Sequence, residues 1–163
     1  MNTKIFKGKG DGGASFVGNK KIPKDDLLFD FLGSLDELNS WLGFCRVGEK
    51  KRNYFRIISL LELQEILFIL GAYVAAIGFG FPPKYEIKES HVKKIENVII
   101  EIDKVLPPLT KFIIQGGSEI SSKLDVARSM ARNLERYAVR FNKKKKLSPF
   151  LLQFLNRLSS VIF

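Results

Sequence analysis

One cysteine and one histidine leave little for covalent cross-linking or soft-metal chemistry. Cys45 cannot close an internal disulfide, and Cys45 with His91 falls short of a Cys/His zinc set. Cys45 sits in a helical apolar pattern and reads as a small buried filler. His91 sits among charges near a helix start and reads as exposed, not as a catalytic base. The alternation that marks strands is also lacking, as is any internal repeat. No leader is legible after Met1, so a cytoplasmic protein is expected. An uncharged run does extend from Ile66 to Pro83, but Gly78, Gly80 and two prolines break its end. It reads as a central helix buried on all sides, not a membrane span. Acidic residues are few: 17 against 27 basic ones, a formal net charge of +10. That excess suits nucleic acid, an anionic small molecule, or solubility alone. The densest basic run, Lys143-Lys144-Lys145-Lys146, has no interleaved aromatic residue. It is a poor nucleic-acid platform and reads as a solvated connection between helices.

What is present is an ordinary globular composition, 45% hydrophobic and 27% charged over 163 residues, enough for one domain spanning 1–163. Residues 1–23 are glycine-rich and basic and read as an extended segment. The remainder, 24–163, reads as helical. Leu28, Phe31, Leu32, Leu35, Leu38 and Leu42 recur at threes and fours, predicting a helix from Lys24 to Val47 that Gly48 ends. A second helix is predicted from Asn53 to Ile77, and a third from Glu86 to Val105 on the stripe Val92, Ile95, Ile99, Ile102 and Leu106. Pro107-Pro108 closes the third. Leu109–Gln115 reads as short and extended. Ser118 is the expected N-cap of a fourth helix, whose seam is Leu124, Ala127, Ala131, Leu134, Ala138 and Phe141. A fifth runs from about Ser148 to the end. Five helices with short connections predict an all-α, five-helix antiparallel bundle.

Two distant regions carry chemistry suited to a polyphosphate. The first is the strip Lys7-Gly8-Lys9-Gly10-Asp11-Gly12-Gly13, followed by Pro23-Lys24-Asp25-Asp26. Glycines let backbone N–H groups approach an anion, and lysines supply charge. A flexible tail would look similar, and the strip is not a Walker A loop, since no Gly-Lys-Ser/Thr precedes a helix. The second is Arg128, Arg132 and Arg136, spaced by four on one stripe, with Glu135 beside them. A solvated face with intrahelical ion pairs is the alternative, but arginine at all three positions favours planar phosphate or carboxylate recognition. Asp36 and Glu37 are adjacent and diverge on a helix, so they cannot act as a carboxylate pair. Asn156 carries a donor and an acceptor suited to ribose or base. Phe112 would ordinarily be core.

The order and spacing of these motifs resemble the PduO-type ATP:cob(I)alamin adenosyltransferases over nearly the whole chain. The resemblance rests on the glycine strip, Pro23-Lys24-Asp25-Asp26, Gly33-Ser34-Leu35-Asp36-Glu37-Leu38-Asn39, Phe112-Ile113-Ile114-Gln115-Gly116-Gly117, the Arg128–Arg136 segment and Leu155-Asn156-Arg157-Leu158-Ser159. It implies a ferritin-like bundle that transfers the 5′-deoxyadenosyl group of ATP to cob(I)alamin, with Mg²⁺ assisting and triphosphate leaving. It also implies a homotrimer with sites between subunits, and accessory partners such as a reductase and an adenosylcobalamin-dependent enzyme. Lys7, Gly8, Lys9, Gly10, Asp11, Gly12, Lys24, Arg132, Glu135 and Asn156 would bind ATP. Asp36 would pair with Arg128 near the subunit contact, and Phe112 would lie beneath the corrin ring. The chain departs from the family pattern at Asn133, Gln115, Asp125 and Ser160, and lysines replace threonines at 7 and 9. The alternatives are a non-catalytic nucleotide- or corrinoid-binding bundle and a helical interaction module with a basic surface.

Overall fold

The computed structural model describes residues 8–48 and 58–163. Five helices account for most of them: α1 (Leu27–Gly48), α2 (Leu60–Phe79), α3 (Glu89–Asp103), α4 (Glu119–Lys144) and α5 (Pro149–Ile162). α1 packs between α2 and α4, α4 packs on α5, and α5 packs on α3. The apolar positions expected on α1 and α4 form the core, with Phe31, Leu38, Leu42, Ala127, Ala131 and Leu134 fully enclosed. Each large side chain so buried contributes about 1.5–3 kcal/mol. Cys45 is buried among them.

Two contacts set the direction of α1 against α4. Phe31 near the start of α1 meets Phe141 near the end of α4, edge-on at 5.8 Å between ring centroids. Trp41 farther along α1 donates its Nε1–H to the Lys123 carbonyl near the start of α4 at 2.7 Å. The two helices are therefore antiparallel.

The helix boundaries follow their caps. α1 starts at Leu27, not Lys24, because the Asp26 carboxylate accepts from the Leu28 N–H at 2.8 Å and caps it. α2 starts with a capping box: Ser59 Oγ accepts from the Glu62 N–H at 3.1 Å, and Glu62 accepts from the Ser59 N–H at 2.9 Å. The expected start at Asn53 lies outside the described residues. α2 runs past Ile77 to Phe79. There Gly80, at φ 76°, turns left-handed, while Phe81 N–H reaches Ala76 O at 2.8 Å in a Schellman closure. Gly78 is inside the helix because α1 passes so close: a Cβ there would sit 2.9 Å from Leu28 Cγ.

α2 is not buried on all sides. Its length and composition alone would pass for a membrane span. Leu63, Leu67, Leu70 and Val74 face the core, but Leu61, Glu65, Phe68 and Ala72 form a stripe left exposed among the described residues. α3 is shorter than expected, because Val105 and Leu106 turn out of the helix ahead of Pro107-Pro108. Val92, Ile95 and Val98 are its buried face, and Leu106 is exposed. His91 is half-buried and helps to cap α3, where its Nδ1 accepts from the Lys88 N–H at 2.9 Å. α4 begins at Ser118, whose Oγ accepts from Ser121 N–H at 3.2 Å.

One small sheet was not expected from the sequence. Strands β1 (Ala14–Val17) and β2 (Lys20–Pro23) pair antiparallel, with Ala14 opposite Pro23 and Val17 opposite Lys20. The two-residue loop is Gly18-Asn19, with Gly18 at φ 57°, the first-position glycine that a II′ turn takes. Nor is the lysine run simply a solvated linker. Lys143 and Lys144 complete the last turn of α4, and the Lys145 ammonium donates to the Ile77 and Gly78 carbonyls at the end of α2. A cation there complements the negative end of the helix dipole.

Candidate functional site

The glycine strip is a chain of tight turns fastened to the start of α1. Asp11 N–H donates to Gly8 O at 3.2 Å, Gly13 N–H to Gly10 O at 3.1 Å, and Lys24 N–H to Gly13 O at 2.9 Å. Gly8 and Gly13 sit at φ 64° and 72°, where side chains are strained. Gly10 lies against Lys24: a Cβ there would be 3.1 Å from the Lys24 Nζ. Gly8, Lys9, Gly10, Asp11, Gly12 and Lys24 thus form one exposed, glycine-lined basic corner. Lys7 lies outside the described residues. Beyond the hairpin, Lys20, Lys21, Lys144 and Lys145 rim a cleft of about 330 Å³ floored by Leu28 and Phe141. The strip therefore sits at the end of the bundle where α4 finishes.

The arginine stripe sits elsewhere. Arg132 lies about 13 Å along α4 from Phe141, at 1.5 Å per residue. It is exposed, and Glu135 beside it accepts from Asn156 Nδ2 on α5 at 2.8 Å. Arg136 turns to Asn133, donating to its Oδ1 at 2.9 Å, so the asparagine in place of a second arginine has a partner within the helix. Arg128 is half-buried. Its Nε lies 3.6 Å from Asp125 Oδ1, and its guanidinium lies 5.9 Å from the centre of the Phe163 ring. That Nε is enclosed by protein yet has no hydrogen-bond partner among the described residues. Asp36 is exposed on α1. Within one chain, then, the carboxylate beside Arg128 is Asp125, a residue that sequence reasoning singled out only as a departure.

Between α3 and α4 every residue from 103 to 119 is exposed. Six of them are large and apolar: Val105, Leu106, Leu109, Ile113, Ile114 and Phe112, whose exposure is 102%. Phe112 is not a core residue. An apolar loop of this kind in water calls for a partner surface. The same loop reaches the arginines, because Gln115, Gly116, Ser122, Asp125, Arg128 and Ser129 line a cleft of about 500 Å³. The cleft thus brings Gln115 and Gly116 of the loop beside Arg128. Arg132 and Glu135 follow on the same stripe of α4, and Asn156 bonds Glu135. The glycine strip with Lys24 lies at another level of the bundle.

A glycine-lined basic corner, an arginine stripe with a carboxylate–amide pair, and an exposed apolar loop occupy a five-helix frame. The cobalamin adenosyltransferase family matches residues 5–163. The chain belongs to that family. It is 32% identical over 162 residues to the corrinoid adenosyltransferase of Citrobacter freundii, covering 98% of this chain and 91% of that one. It is 34% identical over 174 residues to corrinoid adenosyltransferase MMAB of Homo sapiens, covering 98% of this chain and 66% of that one. Its fold matches a variant PduO-type ATP:corrinoid adenosyltransferase from Lactobacillus reuteri complexed with cobalamin and ATP. The TM-score is 0.84 at 31% identity, over 98% of this chain and 90% of that one. A second variant from the same organism, complexed with ATP, superposes with the same TM-score, 0.84.

Proposed function

We propose that this adenosyltransferase attaches the 5′-deoxyadenosyl group of ATP to cob(I)alamin, releasing inorganic triphosphate. The observation that carries the reading is the exposed Phe112 loop sharing a cleft with Arg128 on the face that holds Arg132, Glu135 and Asn156. It offers a flat apolar surface and polyphosphate-type donors side by side. The cobalt nucleophile attacks the 5′ carbon, the carbon–oxygen bond breaks, and triphosphate leaves with the electron pair. Protein groups need not take a proton; they place the reactants and compensate the leaving charge. Arg132 and the glycine corner with Lys24 are assigned to the phosphates, and Glu135 with Asn156 to the nucleoside. Phe112 and its apolar neighbours are assigned to the lower face of the corrin, where they exclude water and the axial base. That exclusion eases formation of the low-potential cobalt state. Among the described residues no three His, Cys, Asp or Glu side chains converge on a metal site, so we assign Mg²⁺ to the triphosphate oxygens as the nucleotide's own counter-ion.

The same reading makes the working unit a homotrimer, placed in the cytoplasm because ATP is its substrate. Three features support association. The Leu61–Ala72 stripe of α2 is uncovered among the described residues, the glycine corner and the arginines lie at different levels of one chain, and Arg128 Nε lacks a hydrogen bond among the described residues. Asp36 of a neighbouring copy is the carboxylate we assign to the half-buried Arg128 guanidinium. Anaerobic incubation with ATP and chemically reduced cobalamin tests the activity. The adenosylcobalamin spectrum should appear, and its absence with folded, ATP-bound protein would overturn the assignment.

A further inference from the structure

The amide of Asn156 is exposed on α5, yet its neighbours dictate which way it faces. Its Nδ2 donates to Glu135 Oε1 at 2.8 Å, and its Oδ1 accepts from Arg157 Nη1 at 3.2 Å. A carboxylate only accepts and a guanidinium only donates, so the flipped amide would lose both bonds. Arg157 is itself held, its Nε donating to Glu96 Oε1 on α3 at 3.0 Å. Glu96, Arg157, Asn156 and Glu135 thus form one run across three helices. The Glu96 carboxylate engages the guanidinium Nε, while Nη1 serves Asn156. Asn156 retains one N–H and one acceptor lone pair for a ligand, in fixed places.

We propose that Arg157, steadied by Glu96, is a positioning residue that locks the Asn156 amide and thereby sets which nucleobase the site accepts. The inference rests on the nucleoside role given to Glu135 and Asn156 above. Its physical basis is that adenine and guanine present different donor and acceptor patterns along their edges. An amide free to turn could satisfy either pattern. An amide held in one orientation favours one of them.

The test compares wild type with Arg157→Met, Arg157→Lys and Glu96→Gln, using ATP and GTP as alternative nucleotides. Arg157→Met should raise KM for ATP about five- to tenfold, as expected for losing one hydrogen bond of ordinary net worth, and leave kcat within about twofold. The ATP-over-GTP preference should shrink by a similar factor. Glu96→Gln should move both quantities the same way by less. Arg157→Lys keeps the charge but lacks the fork that reaches Glu96 and Asn156 together, so it should recover only part of the preference. Calorimetric titration with each nucleotide makes the same comparison without turnover, and a matched thermal midpoint confirms that the variants are folded. Wild-type preference in Arg157→Met, by kinetics and by titration, would overturn the proposal. So would a loss confined to kcat with the ATP-to-GTP ratio intact. A wild-type protein that binds ATP selectively but forms no cobalt–carbon bond would overturn the adenosyltransferase reading, and the titrations would still decide the role of Arg157.

Discussion

Replacing Phe112 with alanine separates two kinds of importance. A buried phenylalanine lost from a core costs about 3–5 kcal/mol of stability. Phe112 is 102% exposed and touches no core, so Phe112→Ala should change the unfolding free energy by no more than about 0.5 kcal/mol. Its effect should appear only when the corrin arrives. Covering one such side chain is worth about 1.5–3 kcal/mol, or roughly a ten- to hundredfold loss in corrinoid affinity on truncation. ATP affinity should hold, because the phosphate residues are on other elements. Denaturant unfolding measures the first quantity. Corrinoid titration measures the second, and electron paramagnetic resonance of cob(II)alamin with ATP reports its consequence, the fraction of four-coordinate cobalt. A destabilisation of several kcal/mol would mean that the ring is packed within the protein. An unchanged four-coordinate fraction with unchanged affinity would mean that it does not form the wall of the corrin site.

Arg132→Ala should weaken ATP binding about ten- to hundredfold, from the loss of charge-assisted phosphate bonds, with unchanged circular dichroism since alanine is at least as good a helix former. Isothermal titration giving wild-type affinity would remove Arg132 from the phosphate site. Gly78→Ala should destabilise the bundle by about 1–3 kcal/mol, because the new methyl would overlap Leu28, and its cost should shrink in a Leu28→Ala background, so that the two losses are less than additive. Equal unfolding midpoints for wild type and the single variant would contradict that close approach. The Glu62 carboxyl is held below its ordinary value of 4.5, first by the Lys94 ammonium and then by the Ser59 N–H. A lowered folded value means stability that is present in full above the unfolded-chain value and is lost as pH falls through the folded one. Glu62→Gln should therefore cost a little stability at neutral pH and flatten the acid limb below pH 4.5, as followed by thermal melts across pH. Light scattering should give the mass of three chains; a stable monomer under assay conditions would remove Asp36 of a neighbour as the partner of Arg128.

Much of the fold was legible because helices announce themselves by period and caps. The α4 seam from Leu124 to Phe141, and Ser118 before it, could be read directly, since one stripe of small and large apolar residues can bury only one face. The hairpin was missed for the complementary reason. Its strands are four residues each and mostly exposed on both faces, so burial imposes no alternation on them. The Gly18-Asn19 pair was the signal that could have found it. α2 misled because its apolar residues run all the way round, and sequence cannot say which of them another copy or another molecule covers. At the site, residue types could be read but partners only in part. Asp125 with Arg128 and Asn133 with Arg136 are each three apart on α4, a spacing that could have shown both pairs. Nothing in the order of the chain says that Glu96 reaches across to Arg157 or that Glu135 meets Asn156, because those two pairings depend on which helix faces which, a property of packing.

The most direct test of the account is phosphorus NMR of the products after anaerobic turnover with ATP and cob(I)alamin. Adenosyl transfer breaks the bond between the 5′ carbon and the oxygen of the first phosphate, so inorganic triphosphate should accumulate one for one with adenosylcobalamin. ADP with phosphate, or AMP with pyrophosphate, formed without a cobalt–carbon bond would contradict it.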